Sequence, residues 1–186
     1  MRFKTYKRLH GLGLIANEDQ LKEAPRPDRL CGKAIPESLN GLTMGQLVEI
    51  LQVKDGNPYT IIEIVTRDKA EGKEPTNGIQ AKDLDKADAV AVVGLVNFIQ
   101  SELNRITAMF KQLKPHYTKE ERDAGIEDLD FGIFGTIDWY AKRMGIINHD
   151  DVLLVPWIHI YQCSFIDKEN HEFQQRYLKA ISSQNN

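Results

Sequence analysis

The chain has 186 residues, of which 41% are hydrophobic and 27% charged, with a formal net charge of −3. That size and apolar content can bury a substantial core, and no low-complexity tract argues for disorder. The small negative excess excludes the broad basic surface of a dedicated nucleic-acid binder, so no specific nucleic-acid binding is expected.

Residues 1–40 lack helical periodicity and carry Gly11, Gly13, Pro25, Pro27, Gly32 and Pro36. Each proline pushes its predecessor out of the helical region, so the segment reads as an extended arm with short strands at 3–9 and 30–35. Arg2, Lys4, Lys7 and Arg8 make it basic. Thr43 and Gln46 then form a capping-box pattern ahead of Met44, Leu47, Val48 and Leu51, one apolar helical stripe. The turn Asp55-Gly56-Asn57-Pro58 ends that helix. Residues 59–65 are β-rich in composition yet short enough to be either a strand or a second helix.

The polar stretch 66–82, with Pro75 and Gly78, is the clearest internal loop. Asp88 caps the longest predicted helix, about 88–113, whose buried face runs from Val92 through Leu95, Ile99 and Ile106 to Phe110. Pro115 stops it. Thr118 and Glu121 form another capping box, opening an acidic helix with Glu120, Asp123, Glu127, Asp128 and Asp130 nearby. A helix over 132–144 ends at Gly145, a left-handed terminator. A further helix is expected over 149–165, with Pro156 near its first turns, tolerable there but a kink if deeper, and a last one over 169–182 with Phe173, Tyr177, Leu178 and Ile181 on one side. The expected fold is mainly α, a helical bundle with an extended N-terminal arm. It divides into an arm (1–40), a small helical or mixed module (41–66) and a C-terminal helical domain (83–186).

Chemistry-bearing motifs are sparse. The histidines His10, His116, His149, His159 and His171 form no His-Glu-x-x-His, and Cys31 and Cys163 form no Cys-x-x-Cys. No catalytic residue, cofactor or metal is therefore expected. The cysteines are too few and too distant for a disulfide scaffold, so both thiols are expected to be reduced. His159 and Cys163, at i and i+4, invite a thiol–imidazole dyad. Their apolar neighbours Trp157, Ile160 and Phe165 instead predict a buried thiol and a core or rim histidine. The acidic set lacks the spacing of a calcium loop and reads as solvated charge. No apolar stretch reaches the roughly 18 residues of a membrane span, and no export signal follows the charged start.

Two stretches carry a family resemblance. Residues 35–47, Ile-Pro-Glu-Ser-Leu-Asn-Gly-Leu-Thr-Met-Gly-Gln-Leu, resemble the opening of virion proteins from short-tailed phages of gut Bacteroidetes, the crAss-like group. Residues 120–126, 131–137 and 151–157 are similar to a pattern in small proteins encoded among phage tail genes. That pattern is an acidic Ala-Gly-Ile, then Phe-Gly, then Asp-x-Val-Leu-x-x-Pro.

The resemblance implies a non-enzymatic structural protein of a tailed-phage virion, made in the host cytoplasm. It would form or pack within an oligomeric ring of the tail or neck. Its partners would be further copies of itself and other tail or neck proteins. The alternatives are a tail assembly chaperone absent from the finished particle, and an enzyme whose site is unrecognised. Candidate interface residues are the basic Arg2, Lys4, Lys7 and Arg8 and the aromatic Trp139, Tyr140, Trp157 and Tyr161. Opposite charges on the arm and the acidic helix would set register between neighbouring subunits.

Overall fold

A computed structural model describes residues 1–11, 23–54, 56–67, 77–114, 117–129 and 131–184. Gly13, Asp55, Pro75, Pro115, His116 and Asp130, which entered the sequence reading, lie outside them. The protein is mainly helical, with one two-stranded sheet among the described residues. It divides into two compact units. The first comprises Met1–Leu42 and Gln46–Arg105, the second Thr43–Gly45 and Ile106–Asn186. The division falls within the helix Ala89–Gln112.

The first unit opens with α1 (Phe3–Gly11) where a strand was expected. The correction follows from spacing: Phe3, Tyr6 and His10 recur at helical intervals. Their rings lie 6.0 and 5.6 Å apart in succession along one face. Phe3 is buried, and its amide donates to the carbonyl of Ala87 at 2.9 Å. The described start of the chain is thus a docked helix and not an extended arm.

The second expected strand is present as a hairpin of β1 (Arg29–Leu30) and β2 (Lys33–Ala34), antiparallel, with Leu30 opposite Lys33. Cys31 and Gly32 make its two-residue turn, both with positive φ, at 49° and 82°. That pairing suits the right-handed twist of the flanking strands but forces a side chain into the left-handed region at Cys31.

α2 (Met44–Leu51) begins after Thr43, as its apolar stripe predicts. Residues 59–65, left open in sequence, are helical: α3 (Pro58–Val65) starts with Asn57 accepting from the Tyr59 amide and proline in the first turn. Thr66 ends it and is buried. Its hydroxyl donates to the Ile62 carbonyl at 2.7 Å and accepts from the Ile79 amide at 2.8 Å, fastening the chain on both sides of 68–76.

The short α4 (Ala81–Leu84) leads to Asp88, whose carboxylate caps α5 (Ala89–Gln112) through the amides of Val90 and Ala91. Val92 and Leu95 on α5 are fully buried and Ile99 nearly so, with Ile62 and Leu84 beside them in the first unit's core. Gly94 is required where the chain approaches: a Cβ there would lie 2.0 Å from the Pro25 carbonyl oxygen.

The second unit takes the end of α5 from Ile106 onward. α6 (Lys119–Asp123) carries the complete Thr118–Glu121 capping box, and α7 (Gly132–Met144) ends at Gly145 with φ of 67°. α8 (His149–Leu153), capped by Asn148, stops before Pro156. Here the expected boundaries need correction. Proline removes an amide and crowds the preceding turn, so the run 149–165 breaks there instead of kinking. No glycine or proline lies between 157 and 184. α9 (Trp157–Gln184) therefore absorbs both the remainder and the last predicted helix, 28 residues in all. Met44 is fully buried in this unit, its amide donating to Val155 at 2.7 Å.

Candidate functional site

The basic residues at the start of the chain are tied into the first unit unequally. Lys7 reaches Asp85 at 2.8 Å, donates to the Tyr59 hydroxyl, and lies over the Phe3 and Tyr59 rings at 5.3 and 4.6 Å. This cation–π and ion-pair arrangement holds α1 down, so Lys7 serves the fold. Arg2 makes a backbone bridge with Asp88, and the Lys4 amide donates to the Asp85 carbonyl. Arg2, Lys4 and Arg8 are exposed.

Within the same unit, Glu102 and Arg105 clasp the turn at 39–41. Glu102 accepts from the Leu39 amide at 2.8 Å and from Arg105 Nε at 2.7 Å, while Arg105 Nη2 donates to Asn40 at 2.6 Å. The Arg105 hydrogen bond holds the Glu102 carboxyl below its ordinary range, against the opposing effect of burial. The Leu39 amide adds to the lowering. A hollow of about 330 Å³ beside this turn is lined by Ile35, Leu42 and Val65 among others, and by Arg67, which pairs with Glu49 at 2.6 Å.

In the second unit the four aromatic candidates separate. Trp157 is fully buried, with Phe110 at 5.8 Å and Tyr161 at 6.4 Å between ring centroids, and Tyr140 is 5% exposed. Both build the core, so neither presents a surface; their periodicity on α7 and α9 turns them inward. Trp139 and Tyr161 are half-buried. Burial pushes the Tyr140 hydroxyl up in pKa.

The thiol and imidazole of the i, i+4 pair do not meet as a dyad. His159 is exposed, and Cys163 is half-buried with Arg143 Nη1 at 3.4 Å from its sulfur. Arg143 also grips Asp167 at 3.0 Å, which raises its pKa further and ties α7 to α9. Asp138 links Lys142 at 2.6 Å and His149 at 3.3 Å, and both bonds lower its pKa, that from Lys142 most. Among the described residues, no three of the His, Cys, Asp and Glu side chains converge as a metal site. No described helix is long and apolar enough to cross a membrane.

Sequence reading alone missed an apolar surface. Phe131, Phe134, Ile147 and Leu154 are 70, 58, 98 and 72% exposed, and Phe173, Tyr177 and Leu178 are 54, 52 and 64% exposed. All belong to the second unit. Two adjoining hollows of about 630 and 770 Å³ share Leu113, Tyr117 and Trp139. The first is walled by Phe110 and Phe131, the second by the charged side of α9 at Lys168, Glu172 and Arg176. The available signal was the apolar stripe on the last helix, which periodicity identifies without saying whether anything covers it.

Phe134 lies against His149 at 5.2 Å and Phe173 against Tyr177 at 6.1 Å between ring centroids, so these groups are exposed in local clusters. No family model matches the chain, and no curated protein or solved structure is detectably similar to it.

Proposed function

We propose that this chain is a structural component of a tailed-phage virion, packing against copies of itself and neighbouring tail or neck proteins in an oligomeric ring. The observation that supports it most is the exposed apolar surface of the second unit, led by Phe131, Phe134, Ile147 and Leu154. Leaving such groups in water is unfavourable by about 25 cal/mol per Å², a penalty that assembly removes. The resemblance of residues 35–47 and 120–157 to phage tail-region proteins supplies the biological setting.

Trp139 and Tyr161 remain at the edge of the second unit, whereas Tyr140 and Trp157 support it from within. Arg2, Lys4 and Arg8 are exposed on the first unit and available to an acidic neighbour. A ring joins two different patches of one subunit, and apolar contact surrounded by charge is the usual composition of such joints.

Quantitative mass spectrometry of purified virions tests the reading. A stable copy number in the particle is expected. Expression during infection combined with absence from the particle would identify an assembly chaperone and overturn it.

A further inference from the structure

Toward its end α9 is little covered: every described side chain from Phe173 to Ser183 is exposed, and Arg176 and Lys179 are the last to line the hollow beside Leu113 and Tyr117. An isolated helical segment shorter than about 12–15 residues is marginal in water, so an uncovered end of this length gains little from propensity alone. The segment is nonetheless ordered by pattern. Ile166, Phe173, Tyr177 and Ile181 fall within one stripe of helical period and are 51, 54, 52 and 39% exposed. The Phe173 and Tyr177 rings stack on each other at 6.1 Å.

We propose that this stripe is a self-association seam: α9 of one copy packs antiparallel against α9 of a second copy. The inference deepens the assembly reading above and rests on it. Charge placement selects the occupant. Glu169 and Arg176 lie on the same flank of the stripe, seven residues or two turns apart, and both are exposed. A two-fold axis midway between them sets Glu169 of each copy beside Arg176 of the other, as an isologous contact requires. A parallel arrangement in register sets this flank of the two copies on opposite sides of the seam, so neither pair forms. Arg176 makes only a loose contact with Glu172, at 3.8 Å, and is 65% exposed, so it is available for the second pairing. Asn170 sits in the seam between Ile166 and Phe173, a polar residue of the kind that fixes register between paired helices.

The far side of α9 carries both signs, with Lys168, Glu172 and Lys179. A helix lying on an anionic bilayer presents a basic polar face instead, which disfavours a lipid surface as the occupant.

Sedimentation equilibrium of the full chain, with circular dichroism as a folding control, tests the seam. Wild type is expected to dimerise reversibly. Phe173→Glu with Tyr177→Glu is expected to abolish the dimer while leaving the thermal transition of the body in place. Glu169→Arg and Arg176→Glu should each weaken it by roughly five- to tenfold, the worth of two exposed ion pairs. Combining both reversals should restore wild-type affinity, an outcome that a general loss of folding cannot produce. A monomer at all concentrations, or failure of the double reversal to restore, overturns the seam. So does a monomeric chain that sediments with phosphatidylglycerol vesicles. An oligomer untouched by the Phe173 and Tyr177 changes also overturns it, yet leaves the virion assignment intact, since that is decided by the contents of the particle.

Discussion

The two units of this protein spend their apolar residues differently. In the first, the α5 face at Val92 and Leu95, with Ile62 and Leu84, is buried, and among the described residues the large exposed hydrophobic groups are Met1, Leu51 and Val90. In the second, a smaller core around Trp157, Ile160 and Val152 carries thirteen such exposed groups among the described residues, from Leu129 to Ile181. The contrast teaches that apolar burial is concentrated in the first unit and apolar exposure in the second. The first unit satisfies itself, through a docked α1, a Thr66 clasp and the Glu102–Arg105 fork. The second leaves many of its large apolar groups exposed.

Substitutions can break this contrast, beginning with the largest effect. Trp157→Ala removes the fully buried anchor beneath the second unit's surface and should cost about 3–5 kcal/mol by chemical denaturation. If the second unit owes little to its own core, the loss will be far smaller. Glu102→Gln weakens the fork that accepts from Leu39 and Arg105, and should cost about 1.5–3 kcal/mol near neutral pH.

The same carboxylate sets a pH dependence. Its folded pKa is lowered, so its contribution is present above the unfolded value of about 4.3 and is lost as pH falls through the folded one. Wild type should therefore lose more stability than Glu102→Gln between roughly pH 5 and 3, measured by thermal unfolding across that range. Equal acid sensitivity in the two proteins would remove the fork from the first unit's account.

Gly94→Ala sharpens the comparison by its sign. In an open helix the change gains roughly 1 kcal/mol; here the new Cβ meets the Pro25 carbonyl oxygen, and a loss of about 1–3 kcal/mol is expected instead. Cys31→Asn runs the other way. Asparagine tolerates the left-handed turn better, so a gain of about 0.5–1 kcal/mol in denaturation midpoint is expected. Least of all, Ile147→Lys should alter monomer stability by under about 0.5 kcal/mol, because the side chain is 98% exposed. Solubility should rise, and a clear destabilisation would mean that the exposed surface supports the fold.

Local signals in the sequence determined the elements that need only neighbours along the chain. The Thr118–Glu121 box, the Asp88 cap, the Gly145 terminator and the span of α5 all rest on hydrogen bonds or periodicity within a few residues. Where the deciding partner is distant, the reading failed. α1 is held by Ala87, Asp85 and Tyr59, far along the chain, and proline-rich surroundings gave a misleading extended signal. Pro156 divides one predicted helix, and the absence of any breaker afterwards merges the rest. The aromatic residues make the same point for function. A stripe such as Trp157 with Tyr161 and one such as Phe173 with Tyr177 look alike in sequence, because both follow the helical period. Only the tertiary structure decides that Phe110 covers the first and that no described side chain covers the second, since burial depends on what other segments fold against a face and not on the face itself.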